Sequence, residues 1–161
     1  MNIFWEELTA GLPDTKQWAQ VVIRLTAAAL LGALVGFQRE KAGKPAGLRT
    51  HMLVTLGTSV FILACAGAGM SIDGQSRVIQ GIITGIGFIG AGSILKLTEA
   101  RDIQGLTTSA GIWMAAAVGV AVGVGSLGVA MLGTLMAVVI LAVVPLESRT
   151  DKEDAAMTKE R

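Results

Sequence analysis

Residues Ile103–Leu146 read IQGLTTSAGIWMAAAVGVAVGVGSLGVAMLGTLMAVVILAVVPL, 44 positions without an Asp, Glu, Lys or Arg. As helix, at about 1.5 Å per residue, they would reach about 66 Å, roughly twice the hydrocarbon thickness of a bilayer. One membrane crossing cannot use that length, and a soluble domain has no comparable place to hide it. Two crossings joined by a tight turn at Gly123-Val124-Gly125-Ser126-Leu127-Gly128 fit. The stretch therefore sets the class, an all-α integral membrane protein.

Composition agrees. Of 161 residues, 52% are apolar and 16% charged, with a mean hydropathy of +0.64, where soluble domains carry roughly 25% charge. The 21 glycines lie mostly within the apolar runs, which in lipid points to helices packed backbone to backbone. The lone Cys65 excludes an intrachain disulfide and leaves no thiol pair for a metal. A net charge of +1 gives no ground for a nucleic-acid partner.

Hydropathy places spans at 19–37, 51–69, 78–95, 106–123 and 127–146. Met1–Gln17 has no basic start and contains Glu6, Glu7 and Asp14, unlike a cleavable signal peptide. Residues 1–18 read as a segment lying along the interface, with Trp5 and Trp18 at headgroup depth. Ten of the 13 basic residues fall in loop 38–50 (Arg39, Lys41, Lys44, Arg49), loop 96–105 (Lys96, Arg101) and the tail (Arg149, Lys152, Lys159, Arg161). Lys16 and Arg77 flank the other ends. The positive-inside rule then sets the amino terminus outside and the tail in the cytoplasm. Residues 147–161 alternate acid and base without an apolar face and read as disordered. The expected architecture is one domain, 19–146, a bundle of five transmembrane helices with glycine-rich packing.

A shift of 58 residues aligns Gly32-Ala33 with Gly90-Ala91, Thr26 with Thr84, and Gly47-Leu48-x-Thr50 with Gly105-Leu106-x-Thr108. Spans 1–2 and 3–4 read as parallel copies of a helical hairpin, with span 5 added; chance matches among so many glycines are the competing reading.

Span 3 carries Gly81, Gly85, Gly87, Gly90 and Gly92. At about 100° per residue, Gly81, Gly85 and Gly92 share one face, with Gly87 and Gly90 nearly opposite. The expectation is a central helix approached closely from both sides; a locally broken helix with freed carbonyls is the alternative. Arg24 is the single full charge well inside a span, on an i, i+4 ridge with Ala28, Gly32 and Gly36 that faces other helices, unless it snorkels to the nearby outer surface. Glu40 lies about 24 Å along the same helix, too far to pair with it.

The cytoplasmic rim is the richest polar region: Gln38-Arg39-Glu40, Gly47-Leu48-Arg49-Thr50-His51, then Asp102 and Gly105-Leu106-Thr107-Thr108-Ser109. Thr50 and Thr107, Thr108 or Ser109 are the expected N-caps of spans 2 and 4. With Arg39 and Arg49 nearby, the same helix ends suit a phosphate or carboxylate from a lipid headgroup or an acidic partner. His51 reads as a rim residue. Catalytic constellations are missing: no serine–histidine–acid set, no HExxH and no Walker-type loop occurs, and no carboxylate lies inside a span. Glu40, Glu99 and Asp102 are the rim carboxylates available to a cation. Neither a cofactor nor an enzymatic activity is expected.

At these residues the chain resembles the MgtC/SapB family of bacterial inner-membrane proteins. The matching stretches are Arg24-Leu25, Gly32-Ala33-Leu34-Val35-Gly36-Phe37-Gln38-Arg39-Glu40, Ala46-Gly47-Leu48-Arg49-Thr50-His51-Met52-Leu53-Val54, Gly85-Ile86-Gly87-Phe88-Ile89-Gly90-Ala91-Gly92, Gly105-Leu106-Thr107-Thr108-Ser109-Ala110 and Trp113. The resemblance implies a role in adaptation to low magnesium and, in pathogens, in survival within host cells. It implies modulation of other membrane proteins, the F-type ATP synthase among them, with a small magnesium transporter or channel built from a homo-oligomer as the alternative. Many members have a glutamate where this chain has Gln38, and longer members carry a soluble domain after the last span.

Overall fold

A computed structural model of the chain describes residues 14–97 and 102–143, together with Ile3, Phe4 and Glu6. Trp5, Glu99, Arg101 and the tail 147–161 lie outside the described residues. Five helices follow in order: α1 (Thr15–Lys41), α2 (Leu48–Gly67), α3 (Ile72–Gly92), α4 (Leu106–Gly123) and α5 (Leu127–Val143). At about 1.5 Å per residue they are between about 26 and 40 Å long. By length and composition α1, α2 and α4 are each apolar enough to cross a membrane, and α5 is a shorter apolar helix of 17 residues.

The local chemistry explains the boundaries. Asp14 stands at the N-cap of α1, which therefore begins before the expected span and takes in Trp18. The Ser71 side chain accepts from the Gly74 N–H at 3.2 Å and starts α3 earlier than hydropathy suggests, with Asp73 in the favourable first turn. Gly43 and Gly69 have left-handed φ values of 66° and 67° just beyond the ends of α1 and α2, a conformation that closes helices at low cost in glycine. Gly125, at φ 92°, makes the α4–α5 turn where the sequence put it.

Residues 96–105, read above as an open charged loop, hold a small antiparallel hairpin instead. Its strands β1 (Leu95–Leu97) and β2 (Asp102–Gln104) pair Leu95 with Gln104, Lys96 with Ile103 and Leu97 with Asp102. Three residues per strand are too few to reveal a period of two.

The helices run up and down. Side-chain bonds join the end of α1 to the starts of α2 and α4 and to the end of α5, fixing one charged end of the bundle. α4 sits at the centre and touches all four other helices. The expectation for α3 is overturned on both counts. It is a continuous helix, and among its residues only Ile86 and Gly90 are buried. A Cβ built at Gly81, Gly85, Gly87 or Gly92 would meet nothing within 4 Å; Gly90 alone is approached, by Ser109 Oγ. Close backbone packing belongs to α1, α2 and α4: Gly32 and Gly36 against α2, and Gly119 and Gly123 of α4 against α2.

Arg24 occupies the opposite end of the bundle. Its ridge mates Ala28, Gly32 and Gly36 are buried, and its Nη1 donates to Gly123 O in the last turn of α4 at 2.9 Å. A cation there complements the helix dipole and satisfies a carbonyl that has no partner within the helix. Arg24→Met is expected to cost about 1.5 kcal/mol or more, the worth of a hydrogen bond to a charged group. Thermal unfolding followed by helical circular dichroism in detergent would measure it; an unchanged midpoint would assign Arg24 no capping role.

Candidate functional site

At the charged end, side chains of α1 reach the ends of α2, α4 and α5. α2 begins after Gly47, which has no side chain to cap with, and the first N–H, of Leu48, donates to Glu40 Oε2 at 2.9 Å. Glu40 thus does the work expected of Thr50, which lies inside the first turn and is only half-buried. α4 likewise begins one turn earlier than a threonine cap would allow. Gly105 is its N-cap, at φ 96°, and among the described residues no side chain bonds to the first turn's N–H groups. Thr108 is the third residue of the helix, and its Oγ1 accepts from Arg39 Nη2 at 2.8 Å.

Arg39 is 3% exposed and His51 0%. His51 Nδ1 is 3.0 Å from Gly47 O, and because a carbonyl only accepts, that nitrogen carries the proton. The other ring nitrogen, Nε2, faces Gly111 of α4 and has no partner; Arg39 Nε and Gln38 Oε1 are buried without partners as well. Gln38 Nε2 donates to Leu141 O at 2.7 Å and ties α1 to the end of α5. Arg49 and Thr107 are exposed. The backbone of Asp102 lies in β2, and its side chain is outside what is described. Of the rim residues named above, the structure brings Arg39, Thr108, Glu40 and His51 together at the helix junction and leaves Arg49 and Thr107 on the surface.

A polar row escaped the sequence reading. His51, Thr55 and Ser59 follow at i, i+4 and i+8 on α2, with Thr58 beside them, and all four are buried. Their spacing was the signal. Thr55 and Thr58 hydroxyls donate back to carbonyls of their own helix at 2.9–3.2 Å, with Gly32 and Gly119 against them, while Ser59 Oγ, like His51 Nε2, is buried without a partner. Gly111, Gly119 and Gly123, also at multiples of four, let α4 come this close. Among the described residues no group of three His, Cys, Asp or Glu side chains is placed to hold a metal ion.

On the flank, α2 and α3 diverge to leave an apolar groove of about 700 Å³, lined by Leu53, Gly57, Phe61, Gly81, Gly85 and Ile89 among others. A Cβ at Gly57, Gly81 or Gly85 would meet nothing within 4 Å. The expected glycine face of α3 exists, and it looks outward.

The sequence profile of the MgtC family matches residues 25–149, from within α1 to beyond the end of α5. The chain belongs to the MgtC family. It is similar to the protein SrpB of Synechococcus elongatus, 39% identical over 119 residues, covering 67% of this chain and 65% of that one. It is 40% identical over 114 residues to YhiD of Escherichia coli, provisionally named a magnesium transporter, covering 66% of this chain and 52% of YhiD. Protein MgtC of Salmonella typhimurium is 43% identical over 104 residues, covering 65% of this chain and 43% of its own length. The matched part of the chain therefore spans between about two fifths and two thirds of the length of these curated relatives. No solved structure matches it.

Proposed function

We propose that this protein is a non-enzymatic, five-span protein of the bacterial inner membrane that serves magnesium homeostasis by binding and tuning another membrane protein. The amino terminus faces out, the charged end faces the cytoplasm, and the F-type ATP synthase is the leading candidate partner. The first four spans form two parallel hairpins, a reading supported by Gly47 and Gly105 standing at the N-caps of α2 and α4 at the same end. The observation that carries the modulator reading is the open glycine face of α3 with Gly57 of α2. Membrane helices associate by van der Waals packing, so glycines that touch nothing among the described residues favour the backbone of a helix from another chain.

The second reading, an oligomeric magnesium transporter or channel, draws on the relatives' names and on Glu40 at the rim. Liposomes holding only this protein separate the two. No magnesium flux is expected, and flux that Glu40→Ala abolishes would replace modulation with transport. In cells, Gly85→Leu is expected to remove co-purifying membrane partners while leaving protein levels unchanged, since nothing in the chain occupies that space. Unaltered co-purification would empty the groove of meaning. Arg49→Ala, exposed at the rim, should likewise impair function without lowering membrane levels.

A further inference from the structure

The two helices that start at the charged end are served in opposite ways. At α2 the chain supplies an acid: Glu40 accepts from the Leu48 N–H. At α4 the N-cap is a glycine, and among the described residues no acceptor meets the N–H groups of Leu106, Thr107 or Thr108. What the chain supplies instead is a cation. Arg39, almost fully buried, reaches the first turn of α4 through Nη2, while its Nε is buried with no partner. Thr108 Oγ1 accepts from Arg39, which leaves its own hydroxyl proton to donate. Among the described residues the result is a cluster rich in donors, with a guanidinium at the positive end of a helix dipole and no anion beside it, the arrangement that electrostatics disfavours unless an anion completes it.

The geometry points to a phosphate-group site at the start of α4, held by Arg39, Thr108 and the free N–H groups of Leu106 and Thr107. Arginine's planar fork and a helix N-terminus are the two commonest protein partners of phosphate oxygens. Leu106 and Thr107 are exposed, so the ligand enters from the end of the bundle and meets the buried guanidinium beneath. His51 takes no part, because its Nδ1 is committed to Gly47 O and its Nε2 faces Gly111 of α4. The phosphate belongs either to an anionic lipid headgroup or to a free phosphate in solution. Neither source depends on a partner helix in the α2–α3 groove, so this site stands or falls apart from the modulator reading.

The test uses the full chain, delipidated in a phosphate-free glycoside detergent, with the thermal midpoint as readout. Inorganic phosphate and phosphatidylglycerol are titrated separately against chloride at matched ionic strength. A saturable rise with phosphate identifies a free-phosphate site; a rise with phosphatidylglycerol only identifies a headgroup site. In either case Thr108→Val and Arg39→Lys should bind about tenfold or more weakly, as expected for losing one charge-assisted hydrogen bond. Gly85→Leu should bind as the parent does. No rise with either probe overturns the proposal, as does a rise whose midpoint concentration is unchanged in Thr108→Val. That variant is nearly isosteric and keeps the test alive should Arg39→Lys fail to fold.

Discussion

Gly119→Ala is expected to destabilise the bundle by about 1–3 kcal/mol or more, and Gly119→Leu to prevent folded accumulation altogether. Adding one methyl at Gly119 would drive it into Thr58 Oγ1 and the Thr55 carbonyl, with Thr55 Cα at 2.9 Å. The threonine side chain could turn away, but the α2 backbone cannot. Relief requires α4 to move off α2, and α4 is the helix against which every other one packs. The small intrinsic gain of alanine over glycine in a helix, about 1 kcal/mol, is outweighed.

The same exchange on α3 should run the other way. Gly85→Ala meets nothing within 4 Å, so only the helix-propensity term remains and stability rises by up to about 1 kcal/mol. Measuring both variants by thermal unfolding in one detergent gives the contrast. Equal losses would mean that α3 is as closely packed as α4, as the glycine count alone suggests.

That contrast marks where the sequence was legible. The existence and order of the helices, the turn at Gly125 and the inward face of Arg24 follow from hydropathy and helical spacing, because both are local properties of the chain. Which glycine-rich helix lies at the centre does not. α3 carries the denser set of glycines, yet the centre went to α4, whose Gly111, Gly119 and Gly123 sit one behind another on the face turned to α2. A glycine pattern states that a backbone is approachable and not which neighbour, in its own chain or another, approaches it.

The rim was legible as a place and not as a network. Its residue types predicted a polar helix junction, and Arg39, Glu40, His51 and Thr108 meet there. The capping roles were assigned to threonines because these are the usual caps. Both helices instead start at glycines, which have no side chain to offer; Glu40 from another helix caps α2, and among the described residues none caps α4. A cap supplied across a loop leaves no fixed spacing to read. Glu40 lies eight residues before Leu48, well beyond the three-residue spacing of a capping box.

Gly105→Ala is the second large effect, and comparison with Gly47→Ala explains why. The two glycines occupy matching positions in the Gly-Leu-x-Thr segments and both cap helices, but for different reasons. Gly47 is extended, at φ −101° and ψ −150°, where any residue is comfortable. A Cβ there would press on Glu40 Oε2 at 2.8 Å, so the expected loss is that of the cap, about 0.5–2 kcal/mol. Gly105 is left-handed, which costs an alanine about 1–2 kcal/mol by itself. Its Cβ would also strike the Ser93 carbonyl and come within 3.1 Å of Ile94 Cα, backbone that leads from α3 into the hairpin and cannot rotate aside. The two penalties together should exceed the loss at Gly47. Displacing Gly105 also shifts the first turn of α4 away from Arg39, so phosphate binding should fall with stability, whereas Gly47→Ala should lower stability and leave phosphate binding intact. Gly105→Asn separates the two causes, because asparagine tolerates left-handed backbone but still carries the Cβ. Its midpoint should fall nearly as far as that of alanine; full recovery would show that the dihedral angle, and not the contact with Ser93, is what reserves the position for glycine.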